Sequence, residues 1–154
     1  MILEDWQEAP VFGVPADGGQ NVVRPSAYAL IEDERGRLAI VRTAEGVFLP
    51  GGGIEAGETP ALAVKREAFE ECGLVVRARG WTARAVQFAY SAREKTHFEK
   101  RSTFLEAVVE AAAPSGTEPD HELVWVSPET APQLLSHESH GWAVASWRSR
   151  APRR

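Results

Sequence analysis

The chain reads as an α/β protein, a sheet with helices on both of its faces. Three observations carry this. Short runs rich in β-branched and aromatic residues recur at 27–31, 38–42, 47–49, 81–86, 101–110 and 123–126, bounded by Gly, Pro or charged turns. One helical segment, 60–72, lies mid-chain between strands with its own start and stop signals. A second, 141–148, follows the last strand. A sheet met by one helix midway and by another at its end is covered on both sides.

The elements follow in order. Residues 1–25 read as an N-terminal extension or edge strands, broken by Pro10, Pro15, Gly18 and Gly19, with short extended stretches at 11–14 and 22–23. Arg24 is the one residue there suited to a phosphate contact, with a plain surface residue as the alternative. Strands 27–31 and 38–42 are expected to form a hairpin of the central sheet around the polar turn 32–36. Strand 47–49 is stopped by Pro50, and Gly51, Gly52 and Gly53 then read as a loop. Thr59 is the helix N-cap, Pro60 suits the first helical position, and Gly73 the left-handed position after the last turn, with Leu74 as its hydrophobic contact. Ala61, Leu62, Ala68, Phe69 and Cys72 are expected to share the packing face.

Beyond the helix, 74–77 and 81–86 read as extended, and 86–92 pairs with 101–110 around a long charged connection, 93–100, that contains His97 and Phe98. Trp81, Phe88, Tyr90 and Phe98 are candidates to stack on a nucleobase; the alternative for each is a place in the core. Residues 111–119 read as a loop, and 131–135 and 141–148 as helical, with Trp142 and Trp147 on a packing face. His137 and His140 lie three apart without further zinc ligands and read as part of a surface turn. The tail 149–154 is basic and expected to fray.

Composition bounds the function. The 154 residues, 44% hydrophobic and 25% charged, suit one domain, 1–154, with a sizeable core. The net charge of -5 argues against nonspecific nucleic-acid binding. Cys72 is the only cysteine, so no intrachain disulfide forms, and a small buried helix residue is its reading. No apolar run is long enough for a membrane span and no apolar signal core follows Met1; a cytoplasmic protein is the simplest expectation.

The chemistry concentrates between Gly51 and Leu74. Glu67, Glu70 and Glu71 stand at helical spacings i, i+3 and i+4, which gathers three carboxylates on one side of the helix. Their mutual repulsion costs roughly a few tenths of a kcal/mol per exposed pair, and a hard divalent cation such as Mg²⁺ or Mn²⁺ would offset it. The alternative is a solvated helical face, the commoner situation for glutamate. The glycines do not form a phosphate-binding loop of the Gly-Lys-Ser/Thr kind, and the dinucleotide Gly-x-Gly-x-x-Gly spacing is absent.

The whole stretch resembles the Nudix box, G-x5-E-x7-R-E-U-x-E-E-x-G-U, over 52–74. Gly52, Glu58, Arg66, Glu67, Glu70, Glu71 and Gly73 all fall in register, and Leu74 takes the final aliphatic position. Ala68 departs, standing where Ile, Leu or Val is usual. The resemblance implies an α/β/α sandwich with a central mixed sheet. It implies a metal-dependent pyrophosphohydrolase cleaving a diphosphate bond in a nucleoside diphosphate derivative. Glu67, Glu70 and Glu71 are then the side-chain ligands, with the Gly51 carbonyl as a further one. Arg66 orients Glu58 or Glu70, and the catalytic set is Glu70, Glu67, Arg66 and Glu58. The water-activating base stays open among Glu67 and Glu70 in the box and Glu94, Glu99, Glu118 and Glu122 outside it. Arg42, Gly52, Gly53 and Tyr90 are the substrate-binding candidates, Arg42 from its place at a strand end near the glycines, with an exposed strand-end Arg as the alternative. (Deoxy)nucleoside triphosphates are the favoured substrates, ahead of dinucleoside polyphosphates, nucleotide sugars including ADP-ribose, and capped RNA, which the acidic charge disfavours. A homodimer stays open. So do a non-catalytic nucleotide-binding module, which an intact box disfavours, and an isoprenoid diphosphate isomerase, for which Cys72 is misplaced.

Overall fold

Side chains along the strand Val22–Ile31 alternate between two cores, and this alternation organises the molecule. Ala27, Ala29 and Ile31 pack with Ala63, Val64, Ala68 and Cys72 of the helix Pro60–Cys72, while Tyr28 and Leu30 pack with Ala143, Val144 and Trp147 of the helix Glu138–Arg148. The sheet therefore lies between two helices, as a mixed α/β sandwich requires. The computed structural model describes residues 6–113 and 117–150. In chain order the elements are β1 (Val11–Phe12), a 3-10 turn (Asp17–Gly19), β2 (Val22–Ile31), β3 (Leu38–Thr43), β4 (Gly46–Phe48), β5 (Gly51–Gly53), α1 (Pro60–Cys72), β6 (Leu74–Ser91), β7 (Thr96–Ala112), β8 (Glu122–Val126), α2 (Ala131–Leu134) and α3 (Glu138–Arg148). Of the expected tail, residues 151–154 lie outside the described set. Arg150 is held, its guanidinium donating to the Trp147 carbonyl and pairing with buried Glu106.

The main sheet has strand order β1-β6-β7-β2-β5 and is mixed: β1 runs parallel to β6 and β7 parallel to β2, while β6–β7 and β2–β5 are antiparallel. A second, antiparallel sheet has order β4-β3-β8. Two expectations are corrected here. β2 and β3 do not form a hairpin of one sheet; only the bridge Glu32–Leu38 links them. Both hydrogen-bonding edges of β2 are occupied, by β7 and β5, so β3 pairs with β4 and β8 instead. The three glycines are likewise not a loop but a short strand paired with Ser26–Tyr28.

β6 and β7 form one long hairpin whose connection is shorter than expected, because β7 begins at Thr96. Irregularities at Val75/Val76 and Ala78/Thr82 bend β6, the second beside left-handed Gly80. No helix among the described residues is long and apolar enough to cross a membrane.

Candidate active site

The helix α1 is built as its local chemistry dictates. The Thr59 hydroxyl accepts from the Leu62 N–H, Pro60 opens the first turn, and Gly73 closes the last at φ 67°. Its packing face is only partly the expected one: Ala68 and Cys72 are buried as expected, but Ala61, Leu62 and Phe69 are exposed. Ala63, Val64, Ala68 and Cys72 are buried against the small residues Ala27, Ala29 and Ala107. Ala68, at the position where a bulkier residue is usual in the box, is thus fully enclosed. Burial pushes the Cys72 thiol up to about 12, so it has no reactive character at neutral pH.

This rotation decides the chemistry. Glu67 and Glu71 flank the inward stripe, and their side chains are only 15% and 11% exposed. Burial, with repulsion from the neighbouring carboxylates, raises Glu67 to about 7 and Glu71 to about 9, the latter against the opposing pull of a hydrogen bond from the Gly51 N–H at 2.9 Å. A Cβ on Gly52 would run into the Glu67 carboxylate, so the glycine strand and the helix can approach this closely only with hydrogen at that position.

Arg66 ties the wall together. Its Nε donates to Glu58 Oε2 at 2.7 Å and its two terminal nitrogens reach Glu58 Oε1, Glu70 Oε1 and the Gly53 carbonyl at 3.0, 3.1 and 3.0 Å. This forked pairing holds the Glu58 carboxyl down to about 2.

A loop before β8 completes this wall. The Glu118 N–H donates to the Glu70 carbonyl at 3.0 Å, which anchors the loop on α1. His121 then sits between carboxylates: Nε2 lies 3.4 Å from Glu71 Oε2, and Nδ1 lies 3.3 Å from Glu118 Oε2 and 3.1 Å from Asp120 Oδ1. Carboxylate oxygens of Glu67, Glu70 and Glu118 come within 4.8 Å of one another, as do ligand atoms of Glu118, Asp120 and His121. All of these line a cleft of about 420 Å³, together with Gly51, Gly52 and the buried Tyr28. Burial and the nearby Glu71 and Glu67 push the Tyr28 hydroxyl well above its ordinary value, keeping it protonated.

The other wall is basic and aromatic. Arg93, Lys100, Glu45 and Phe48 line it, and Lys100, Glu45 and Phe48 also border an adjoining cavity of about 460 Å³ with Tyr90, Phe98 and His137. Lys100 Nζ donates to His137 Nε2 at 3.3 Å. Burial and Lys100 depress His137 to about 4, so it is a neutral acceptor at physiological pH. His140 is fully buried and its Nδ1 accepts from the Leu49 N–H at 3.2 Å. The expected surface turn is corrected for His140, which belongs to the interior, whereas His137 stands half-buried before the last helix at the edge of the aromatic cavity; both rings contact Phe48.

Of the residues expected from sequence, the cleft brings together Gly51, Gly52, Arg66, Glu67, Glu70, Glu71 and Glu118. Glu58 and Gly53 stand behind the cleft as partners of Arg66. Tyr90 lies in the adjoining cavity, with its ring 4.6 Å from His97. Arg42 is a correction. It alternates with Val41, which faces the cleft, and so points away and pairs with Glu122 at 3.5 Å. Glu94 and Glu99 are likewise engaged elsewhere, by Arg24 and Arg101. Phe88 and Trp81 border neither cavity. Sequence reasoning missed Asp120, His121, Tyr28 and Lys100. For the first two a signal existed, since Asp and His follow Glu118 within three positions of a loop.

The family model of the NUDIX domain matches residues 22–147, spanning both walls of this cleft. The chain belongs to the NUDIX family. A stretch of 55 residues is 40% identical to the 8-oxo-dGTP diphosphatase of Haemophilus influenzae, covering 32% of this chain and 40% of that protein. Among solved structures, a NUDIX hydrolase from Nitrosomonas europaea superposes with a TM-score of 0.65 at 18% identity, covering 84% of this chain and 92% of the other. An ADP-ribose pyrophosphatase from Streptococcus suis does so with a TM-score of 0.59 at 19% identity, covering 84% and 94%. These structures share the NUDIX fold with this chain.

Proposed function

We propose that this NUDIX protein is a divalent-cation-dependent pyrophosphohydrolase that cleaves a diphosphate bond in nucleoside diphosphate derivatives, with (deoxy)nucleoside triphosphates as its first substrate class. The observation that carries the proposal is the meeting of Glu67, Glu70 and Glu71 with Glu118 and His121 in one cleft. The 8-oxo-dGTP diphosphatase that shares part of the sequence supports triphosphates as substrates.

The donor set fits Mg²⁺ or Mn²⁺. Hard carboxylate oxygens converge, and their repulsion in a half-buried place is what a cation relieves. Glu67, Glu70 and Glu71 would hold it. Bound there, it supplies charge neutralisation and Lewis-acid polarisation of the diphosphate.

The protein's own groups do the rest. Arg66 fixes Glu70 and the Gly53 carbonyl, setting the spacing of α1 from β5. The Gly51 N–H orients the Glu71 carboxylate. Glu118, 44% exposed and 3.3 Å from His121 Nδ1, takes the proton of the attacking water at a carboxylate oxygen. The other outside candidates, Glu94, Glu99 and Glu122, are engaged by arginines away from the cleft.

The test is product analysis with triphosphates, dinucleoside polyphosphates and nucleotide sugars, with and without Mg²⁺ or Mn²⁺. Cation-dependent release of a nucleoside monophosphate is expected, with Glu71→Gln reducing it about a hundredfold or more. A folded Glu71→Gln protein with undiminished turnover would refute the assignment.

A further inference from the structure

Lys100 and His137 form a polar pair that the phosphate chemistry does not use. They stand where the carboxylate cleft opens into the aromatic cavity: Lys100 borders both spaces, and His137 only the second. A lysine ammonium carries three donors and no acceptor. Among the described residues the Lys100 ammonium has one hydrogen-bond partner, His137 Nε2 at 3.3 Å. A half-buried ammonium with two donors unspent takes further acceptors, and the cavity is the place from which they can come.

The ammonium belongs to the aromatic side. The charges that bear on it are Arg24, Glu45 and Glu94, not Glu67, Glu70, Glu71 or Glu118 of the acidic wall. Its partner His137 is held by Phe48, with ring centroids 5.0 Å apart, and by His140, 5.2 Å away. Phe48, Tyr90 and Phe98 give the cavity aromatic walls. With a diphosphate at the carboxylates, the group that reaches this cavity is the one attached to it.

Resting on the hydrolase reading above, we propose that Lys100, positioned by His137, selects nucleotides whose base presents a carbonyl to the cavity, the 6-oxopurines and 4-oxopyrimidines, over the 6-amino and 4-amino bases. A donor-only ammonium matches a carbonyl oxygen, as lysine matches the acceptor edge of guanine, and opposes an exocyclic amino group. His137 cannot donate toward the base through Nε2, because that atom accepts from Lys100.

The experiment is equilibrium binding of GMP, UMP, AMP, CMP and inorganic phosphate to the intact protein, which requires no turnover. The wild type should bind GMP and UMP about tenfold tighter than AMP and CMP. Lys100→Met should bring the four within about threefold, and His137→Phe should do the same by freeing the ammonium, while His137→Gln, which keeps an acceptor, should restore part of the preference. Equal binding of all four by the wild type, preference for the amino bases, no binding of any of them, or a preference surviving in folded Lys100→Met would overturn the proposal. So would an equal loss of all four and of phosphate in Lys100→Met, since that marks a phosphate contact. Failure of the hydrolase reading shows separately, as absent cation-dependent turnover with the base preference intact.

Discussion

The two walls of the cleft are built in opposite ways. The acidic wall comes chiefly from one continuous stretch, Gly51 to Glu71, whose pieces are held by a single arginine. The basic and aromatic wall is gathered from the β3–β4 turn, the β6–β7 hairpin and the start of α3, brought together only by the fold. The acidic wall therefore depends on local register and the other on the integrity of the interior behind it. Substitutions should separate the two dependences, the first acting on chemistry and the second on stability.

The largest effect is expected behind the basic wall. His140→Ala removes a fully buried ring packed on Tyr28 and Phe104 and leaves the Leu49 N–H without its acceptor. A loss of about 3 kcal/mol is expected, from a cavity plus an unsatisfied donor, read as a shift of the urea midpoint. A loss below about 1 kcal/mol would mean this wall is not held by its interior.

Next comes the acidic wall. Gly52→Ala drives a methyl into the Glu67 carboxylate. The end of a flexible side chain can move aside, so stability should change little, but displacing the carboxylate should cost about a hundredfold in kcat/KM. Normal turnover would show that Glu67 need not stand where it does. Arg66→Met frees Glu58, Glu70 and the Gly53 carbonyl at once, and cation affinity should fall about 10–100-fold in a calorimetric titration. An unchanged affinity would reduce Arg66 to a surface charge.

The same contrast explains what could be read from the sequence. Thr59, Pro60 and Gly73 took their expected places because capping is chemistry between residues a few positions apart. The register of the box glutamates is legible for the same reason. Which stripe of α1 turns inward is not, since the facing alanines of β2 and β7 choose Ala63 and Val64 over Leu62 and Phe69. The β2–β3 pairing failed on the same ground: two parallel or distant partners, β7 and β5, claim β2 first. The sequence around His137 and His140 carries no sign that Lys100, 37 residues upstream of His137, and Leu49, 91 upstream of His140, will hold them.

The smallest net effect is that of pH on the cation-free protein, and it sets the two walls against each other. His137 titrates near 4 and His140 well below its ordinary value, both because burial disfavours the charged ring. Folded, they bind fewer protons than unfolded, so their contribution is complete above about pH 6.5 and is lost as pH falls toward 4, at about 1.4 kcal/mol per pH unit for each proton. Glu67 and Glu71 do the reverse. Raised to about 7 and about 9, they bind more protons folded than unfolded, so their contribution is present at low pH and lost as pH rises through those values. Between about pH 6.5 and 4.5 the two pairs offset each other in the cation-free protein, and its urea midpoint should stay nearly flat. Held by the glutamates as proposed, saturating Mg²⁺ would keep them ionised and remove their share, so the histidine loss should emerge as a midpoint falling with pH over the same window. His137→Gln should then remove about one proton's worth of that slope. A Mg²⁺-loaded protein whose midpoint stays flat from pH 6.5 to 4.5 would show that these histidines are not held neutral, and that the wall they support is more open to water than its burial implies.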